Sequence, residues 1–169
     1  MSNELIIYIL FSFCFTFIGI KIFISVAPKL SLVDIPNNRS AHNKITPKGA
    51  GIIFGFIFLC SIFAFTFPIF DSIKYTLLAI LVVYIGGVLD DIYNLSSKKK
   101  FLFLIIASLI AYYSGFSITY IGNYFGIDIS LGYLSIPFTV FAIVGFTNAL
   151  NLSDGLDGLA GSISIVILS

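Results

Sequence analysis

The run LIIYILFSFCFTFIGIKIFISVA, residues 5–27, decides the fold, and Lys21 is its only charge. A helix needs about 20 apolar residues to cross the hydrocarbon core of a bilayer. This run meets that length. It is too long for a cleaved signal peptide and lacks the basic leading segment of one, so it reads as a retained span. Five more apolar runs follow, at 51–67, 75–89, 101–113, 134–150 and 159–169, the last still apolar where the sequence stops. The run 101–113 is short, so it tilts little or ends in the interface. The expected fold class is an all-α polytopic membrane protein of about six transmembrane helices. Residues 117–132 alternate aromatic, β-branched and glycine residues, which predicts a short extracytoplasmic β-hairpin capping the bundle.

Composition supports the same class. The chain is 59% hydrophobic and 10% charged, where soluble domains carry about 25% charged residues. A net charge of +1 gives no footprint for a nucleic-acid partner. Cys14 and Cys60 lie inside apolar runs and read as packing residues, with no zinc spacing and no disulfide framework.

Loop charge sets the orientation. Lys29, Arg39, Lys44 and Lys48 lie in 28–49, and Lys98, Lys99 and Lys100 lie in 90–100, so seven of the nine basic residues fall in two loops on one side. By the positive-inside rule that side is the cytoplasm, and the N-terminus is outside. Alternation of the spans then brings a third loop, 148–158, to the same face. The third loop has no Lys or Arg, only an Asn/Asp cluster.

Four of the eight acidic residues sit in two of these loops, as Asp90-Asp91 and as Asp154 and Asp157. Carboxylates at membrane edges are costly to desolvate and usually functional. Neighbours on a helix point about 100° apart, so Asp90 and Asp91 cannot serve one ligand alike. One can bind a metal while the other meets a substrate or a lysine. The alternative is an idle acidic helix end in the headgroup zone, which the helix dipole disfavours. Asn148, Asn151, Asp154 and Asp157 step by three. The full set drifts round an ideal α-helix, so part of it must lie on a loop or tightened turn. Oxygen donors of this kind suit Mg²⁺, which keeps several waters and bridges carboxylates to substrate phosphates. Capping of the sixth span by Ser153 or Asp154 would explain one of the four. Arg39 and His42, the only Arg and His, sit in a basic loop that can meet an anionic substrate. Topology alone also accounts for basic loops, and a lone His is more often structural.

Three motifs in order resemble a known family. They are Asp34-x-Pro36-x-x-Arg39-x-x-His42 with Pro47-x-x-x-Gly51, then Gly87-x-x-Asp90-Asp91, then Asn148-x-x-Asn151-x-x-Asp154-Gly155-x-Asp157-Gly158-Leu159-Ala160-Gly161. The chain resembles the polyprenyl-phosphate N-acetylhexosamine-1-phosphate transferases, relatives of peptidoglycan translocase I. The resemblance implies transfer of a sugar-1-phosphate from a UDP-N-acetylhexosamine to undecaprenyl phosphate, releasing UMP, with Mg²⁺ (or Mn²⁺) required. It implies an enzyme of the inner (plasma) membrane, multi-pass, its active-site loops cytoplasmic, with a homodimer as a further expectation. It assigns Asp90 and Asp91 as catalytic, and Asn148, Asn151, Asp157, Lys98, Arg39 and His42 to substrate. It makes Asp91 and Asp154 the metal contacts.

The sequence also departs from that family. Ser40 and Ala41 stand where many members carry a basic residue, and Gly49-Ala50-Gly51 replaces a Gly-Gly. Members run on well past this length and carry a later Gly-Asp-x-Gly-Ser loop and a His-rich loop, neither of which is present here. The expectation is a single transmembrane domain, 1–169, forming the N-terminal half of a larger enzyme and inactive by itself. The alternatives are a channel or transporter subunit and an inactive remnant.

Overall fold

The computed structural model describes residues 3–34, 45–66, 70–153 and 159–168. The described residues form a bundle of six α-helices. They are α1 (Asn3–Val26), α2 (Ala50–Thr66), α3 (Phe70–Tyr93), α4 (Ser97–Tyr113), α5 (Ser135–Ser153) and α6 (Leu159–Leu168). Each packs chiefly against its neighbours in sequence, α1 on α2 through to α5 on α6. At about 1.5 Å per residue, α1 and α3 reach about 36 Å, enough for a hydrocarbon core of about 30 Å. Three described helices are long and apolar enough to cross a membrane, over Ile6–Leu30, Phe70–Tyr93 and Gly132–Asn151. Helices α2 and α4 have 17 residues each, the lower end of the spanning range.

Apolar side chains surround the helices rather than forming one inward stripe, as membrane-embedded helices do. Phe13, Phe15, Phe17, Ile18 and Ile22 of α1 are all exposed. The contacts between helices instead use small residues. A Cβ at Gly19 would lie 2.6 Å from Ile53, one at Gly55 would lie 2.6 Å from the Tyr84 ring, and one at Gly86 would lie 2.8 Å from Phe103. Small residues of this kind let helices approach closely where no hydrophobic force drives them together. The most deeply buried side chains among the described residues include Ser61, Ser108, Ser135 and Thr139. Ser12 donates to Ser61 across α1 and α2 at 3.2 Å.

Helix α1 is stopped by Pro28, which follows it in a 3-10 turn, Ala27–Leu30. The chain then reverses through Ser31 at φ 59°. Phe23, Ala27 and Leu32 form a small buried cluster with Ile52 and Ile53 against it. Two short antiparallel strands follow, β1 (Val33–Asp34) and β2 (Thr46–Pro47), with Asp34 opposite Thr46. Nothing in the sequence of the loop 28–49 signals this ladder. Arg39 and His42 lie outside the described residues.

The predicted hairpin is present, as β3 (Tyr120–Tyr124) and β4 (Ile127–Ser130). Its base is tied to α5: Thr139 Oγ1 accepts from the Ile118 N–H at 2.9 Å, and the Ser135 hydroxyl donates to the Ile118 carbonyl at 2.7 Å. The third span ends later than its hydropathy indicated. Helix α3 runs on through Asp90 and Asp91 to Tyr93, and α4 begins at Ser97. The stretch 90–100 is therefore two helix ends joined by three residues rather than a loop.

Candidate active site at the α3–α4 corner

Alternation puts the ends of α1, α3 and α5 and the starts of α2 and α4 at one end of the bundle. The acidic pair sits there. Helix α3 closes through Asn94, at φ 48°, a left-handed position that Asn tolerates. The Asn94 N–H donates to the Asp90 carbonyl at 2.8 Å. Asp90 Oδ1 then accepts the next free backbone donor, Leu95 N–H, at 3.0 Å. Its other oxygen, Oδ2, lies 2.7 Å from Lys100 Nζ. Both oxygens of Asp90 are thus engaged in holding the corner.

Asp91 differs. It is half-buried, and among the described residues no hydrogen bond or ion pair engages its carboxylate. The charges of Asp90, Lys48 and Lys100 all act on it. A Cβ at Gly49 would lie 3.4 Å from Asp91 Oδ2, 3.3 Å from Ile52 and 3.5 Å from the Phe23 ring. Gly49 also holds φ 90°, a conformation that L side chains rarely adopt. The buried cluster of Phe23, the root of the β1–β2 ladder and Asp91 therefore meet at one glycine. Beside it, Lys48 Nζ donates to Asn94 Oδ1 at 2.9 Å, pinning the ladder to the corner.

Charge placement at the corner runs against helix preference. Asp90 and Asp91 fall in the last turn of α3, and Lys98, Lys99 and Lys100 in the first turns of α4. Each such charge opposes the helix dipole by about 0.3–1 kcal/mol. Only the Asp90–Lys100 contact visibly offsets this among the described residues.

A cavity of about 420 Å³ opens between α3, α4 and α5, bordered by Asp90, Ser97, Lys100, Thr147, Asn148 and Asn151. Helix α5 continues through Ser153, so Asn148 and Asn151 are one helical turn apart. A second cavity, about 620 Å³ and almost wholly apolar, lies between α2 and α3, with Ala107 and Ala111 of α4 and Ile143 of α5 also lining it and Asp91 in its wall. Of the expected residues the structure thus brings Asp90, Asn148 and Asn151 to one cavity, while Asp91 borders the other. Lys98 is exposed and does not border either cavity. Arg39, His42, Asp154 and Asp157 lie outside the described residues. Sequence reasoning counted Lys48 and Lys100 among the loop cations without assigning them to the site, and did not single out Asn94. The basic residues placed against the α4 dipole were the signal available for Lys100.

The donor set fits a hard divalent cation. The Asp91 carboxylate is engaged by none of the described residues, and Asn148 and Asn151 carry oxygen donors on the neighbouring cavity. Among the described residues no three His, Cys, Asp or Glu form a cluster. Mg²⁺ requires no such cluster, since it is held through one or two carboxylates with water and phosphate filling the remaining positions.

Known proteins share much of this sequence. The family model for glycosyl transferase family 4 matches residues 73–169. The chain is 35% identical over 151 residues to the probable undecaprenyl-phosphate N-acetylglucosaminyl 1-phosphate transferase of Bacillus subtilis (strain 168), covering 85% of this chain and 40% of the relative. It is 35% identical over 169 residues to the undecaprenyl-phosphate alpha-N-acetylglucosaminyl 1-phosphate transferase of Yersinia pestis, covering 98% of this chain and 45% of the relative. Identity is 32% over 177 residues with a phospho-N-acetylmuramoyl-pentapeptide-transferase of Listeria monocytogenes serovar 1/2a, covering 94% and 55%. The chain therefore spans 40–55% of the length of these relatives.

Proposed function

The chain belongs to glycosyl transferase family 4, and from that premise we propose that it supplies the acidic corner of a sugar-1-phosphate transferase. The reaction moves an N-acetylhexosamine-1-phosphate from a UDP-sugar to undecaprenyl phosphate at the cytoplasmic face of the plasma membrane. The observation that carries this reading is the convergence of Asp90, Lys100, Asn148 and Asn151 on one cavity, with Asp91 next along α3 under the charges of Lys48 and Lys100.

The chemistry asks little of a base. A phosphate monoester has its second pKa near 6, so the lipid phosphate is mostly dianionic at neutral pH. Its oxygen attacks the β-phosphorus of the UDP-sugar. The new P–O bond forms there as the bond from that phosphorus to the bridging oxygen breaks, and UMP leaves with the bridging oxygen. The main obstacle is bringing two anions together, which fixed positive charge and in-line positioning address. Lys100 is locked in place by Asp90, and Lys48 by Asn94, so both cations are oriented before substrate arrives. Asn148 and Asn151 offer hydrogen bonds to the nucleotide sugar from the far wall. The apolar cavity with Asp91 in its wall suits a prenyl chain whose phosphate lies at the corner. Asp91, with Asp154, would hold Mg²⁺ or Mn²⁺, which when bound neutralises charge between the two phosphates.

The test is UMP release from UDP-N-acetylglucosamine by membranes expressing the gene. Release that depends on both polyprenyl phosphate and a divalent cation is expected. Release that ignores the lipid would refute the reading.

A further inference from the structure

We propose that the β3–β4 hairpin is a membrane-surface anchor, its apolar face seated in the lipid interface at the end of the bundle opposite the acidic corner. The pairing register divides the hairpin into two faces. Asn123 pairs with Asp128, and Tyr120 with Ser130. Asp128 accepts from the Tyr120 hydroxyl and from Asn123 Nδ2, both at 2.8 Å. This face is polar, and its one carboxylate is satisfied by neutral donors within the hairpin. On the other face Tyr124 pairs with Ile127, and Ile129 lies opposite Gly122, over which the Tyr124 ring folds. Ile127 is 68% exposed and Tyr124 53% exposed, so no described part of the chain covers this face.

The turn adds a second and independent observation. Phe125 and Gly126 form a two-residue connection with φ of 55° and 82°. That turn favours Asn, Asp or Gly at its first position. A bulky residue there is strained, and the Phe125 ring is fully exposed. A strained aromatic at the outermost point of a loop is a poor choice for water. Burying the ring in lipid offsets that strain.

Three arguments select lipid as the occupant. First, the hairpin is continuous with the membrane: the candidate span Gly132–Asn151 starts two residues after β4 ends. The exposed Tyr113 and Tyr133 flank it where α4 stops and α5 is about to begin, and interfacial belts are rich in Tyr. Second, no Lys or Arg occurs after Lys100, so the hairpin presents no cation that would demand an acidic partner. Third, three side chains and a turn residue offer far less than the roughly 800 Å² per partner of a stable protein interface, so a second copy is a weak occupant.

Residues 1–169 contain no tryptophan, so Phe125→Trp gives a single reporter within this chain. Reconstituted in phosphatidylcholine vesicles, the indole at position 125 should emit at shortened wavelength. It should be quenched more by lipids brominated near the headgroup than by those brominated deep in the chain. Phe141→Trp, on the exposed face of α5, should show the reverse preference. Ser130→Trp, on the polar face, should be quenched several-fold more by aqueous iodide than Phe125→Trp. Tyr124→Trp repeats the test should the Phe125 variant not fold. Iodide quenching of the Tyr124 and Phe125 variants equal to that of the Ser130 variant would overturn the proposal. Protection from iodide without quenching by brominated lipid would equally overturn it and point to a protein partner.

Discussion

Asp128 in the hairpin and Asp91 at the opposite end of the bundle each sit beside an apolar surface, yet they are treated differently. Asp128 receives two neutral donors, Asn123 and Tyr120, from the same short hairpin. Its carboxyl is held below the ordinary carboxylate range by the Asn123 and then the Tyr120 hydrogen bond. Asp91 has three full charges acting on it and no hydrogen bond from any described residue. Its neighbour Asp90 takes the role that Asp128 plays alone, closing a turn and absorbing a donor. A carboxylate that is fully satisfied stabilises its own fold. One that is left over beside held cations is available to a ligand.

The sharpest test replaces each member of the acidic pair. We expect Asp91→Asn to lower UMP release by about 100-fold or more, the usual loss when one electrostatic contact to a developing charge is removed. Its thermal unfolding in detergent should barely change. Asp90→Asn should instead lower the unfolding temperature, because the Lys100 pair is lost and the turn donor keeps a weaker acceptor. Equal effects of the two on both readouts would break the division between them. Gly49→Val comes next. Its φ and the Phe23, Ile52 and Asp91 contacts should cost about 1–3 kcal/mol of stability, with activity falling too, measured by unfolding and initial rate. Gly86→Ala should cost about 1–3 kcal/mol by overpacking, read from the same unfolding curves. Gly86 lies one turn before Asp90 and faces Phe103, so this change pushes α3 from α4 beneath the Asp90–Lys100 contact.

The smallest effect lies at the hairpin. Asp128 is depressed, so its contribution is present above the ordinary carboxylate range and is lost as pH falls through its own lower value. Tyr120 is raised, first by its hydrogen bond to Asp128 and then by burial. Its contribution is present below the ordinary tyrosine range of about 10 and is lost as pH rises beyond that. Emission from the Phe125→Trp variant should therefore be flat between these limits and shift only outside them. Asp128→Asn should abolish the acid-side shift and leave the alkaline one weakened.

Much of this arrangement was legible in the chain. Apolar run lengths gave the helices, and alternation put the ends of α1, α3 and α5 together. Tyr120, Gly122, Tyr124 and Gly126 marked the hairpin. Three features were not legible, each for a physical reason. Helix α3 outlasts its apolar run because backbone hydrogen bonding does not stop where hydropathy does. Lys98, Lys99 and Lys100 point about 100° apart in turn, and the three-residue connection decides which of them meets Asp90. Lys48 and Asn94 are 46 residues apart, and neither has a local signal that names the other.

The serial packing of the helices bears on how the protein is made. Each helix finds its chief described partner in the helix just before or just after it. Among the described residues no early helix has a distant late one as its chief partner, so docking can proceed in the order of synthesis. Local contacts form fast and close small loops. The tight crossings at Gly19, Gly55 and Gly86 can then be laid down one by one as each hairpin of helices enters the bilayer. The acidic corner takes shape stepwise: the Asp90–Lys100 latch closes when α4 joins α3, and the wall bearing Asn148 and Asn151 arrives with α5.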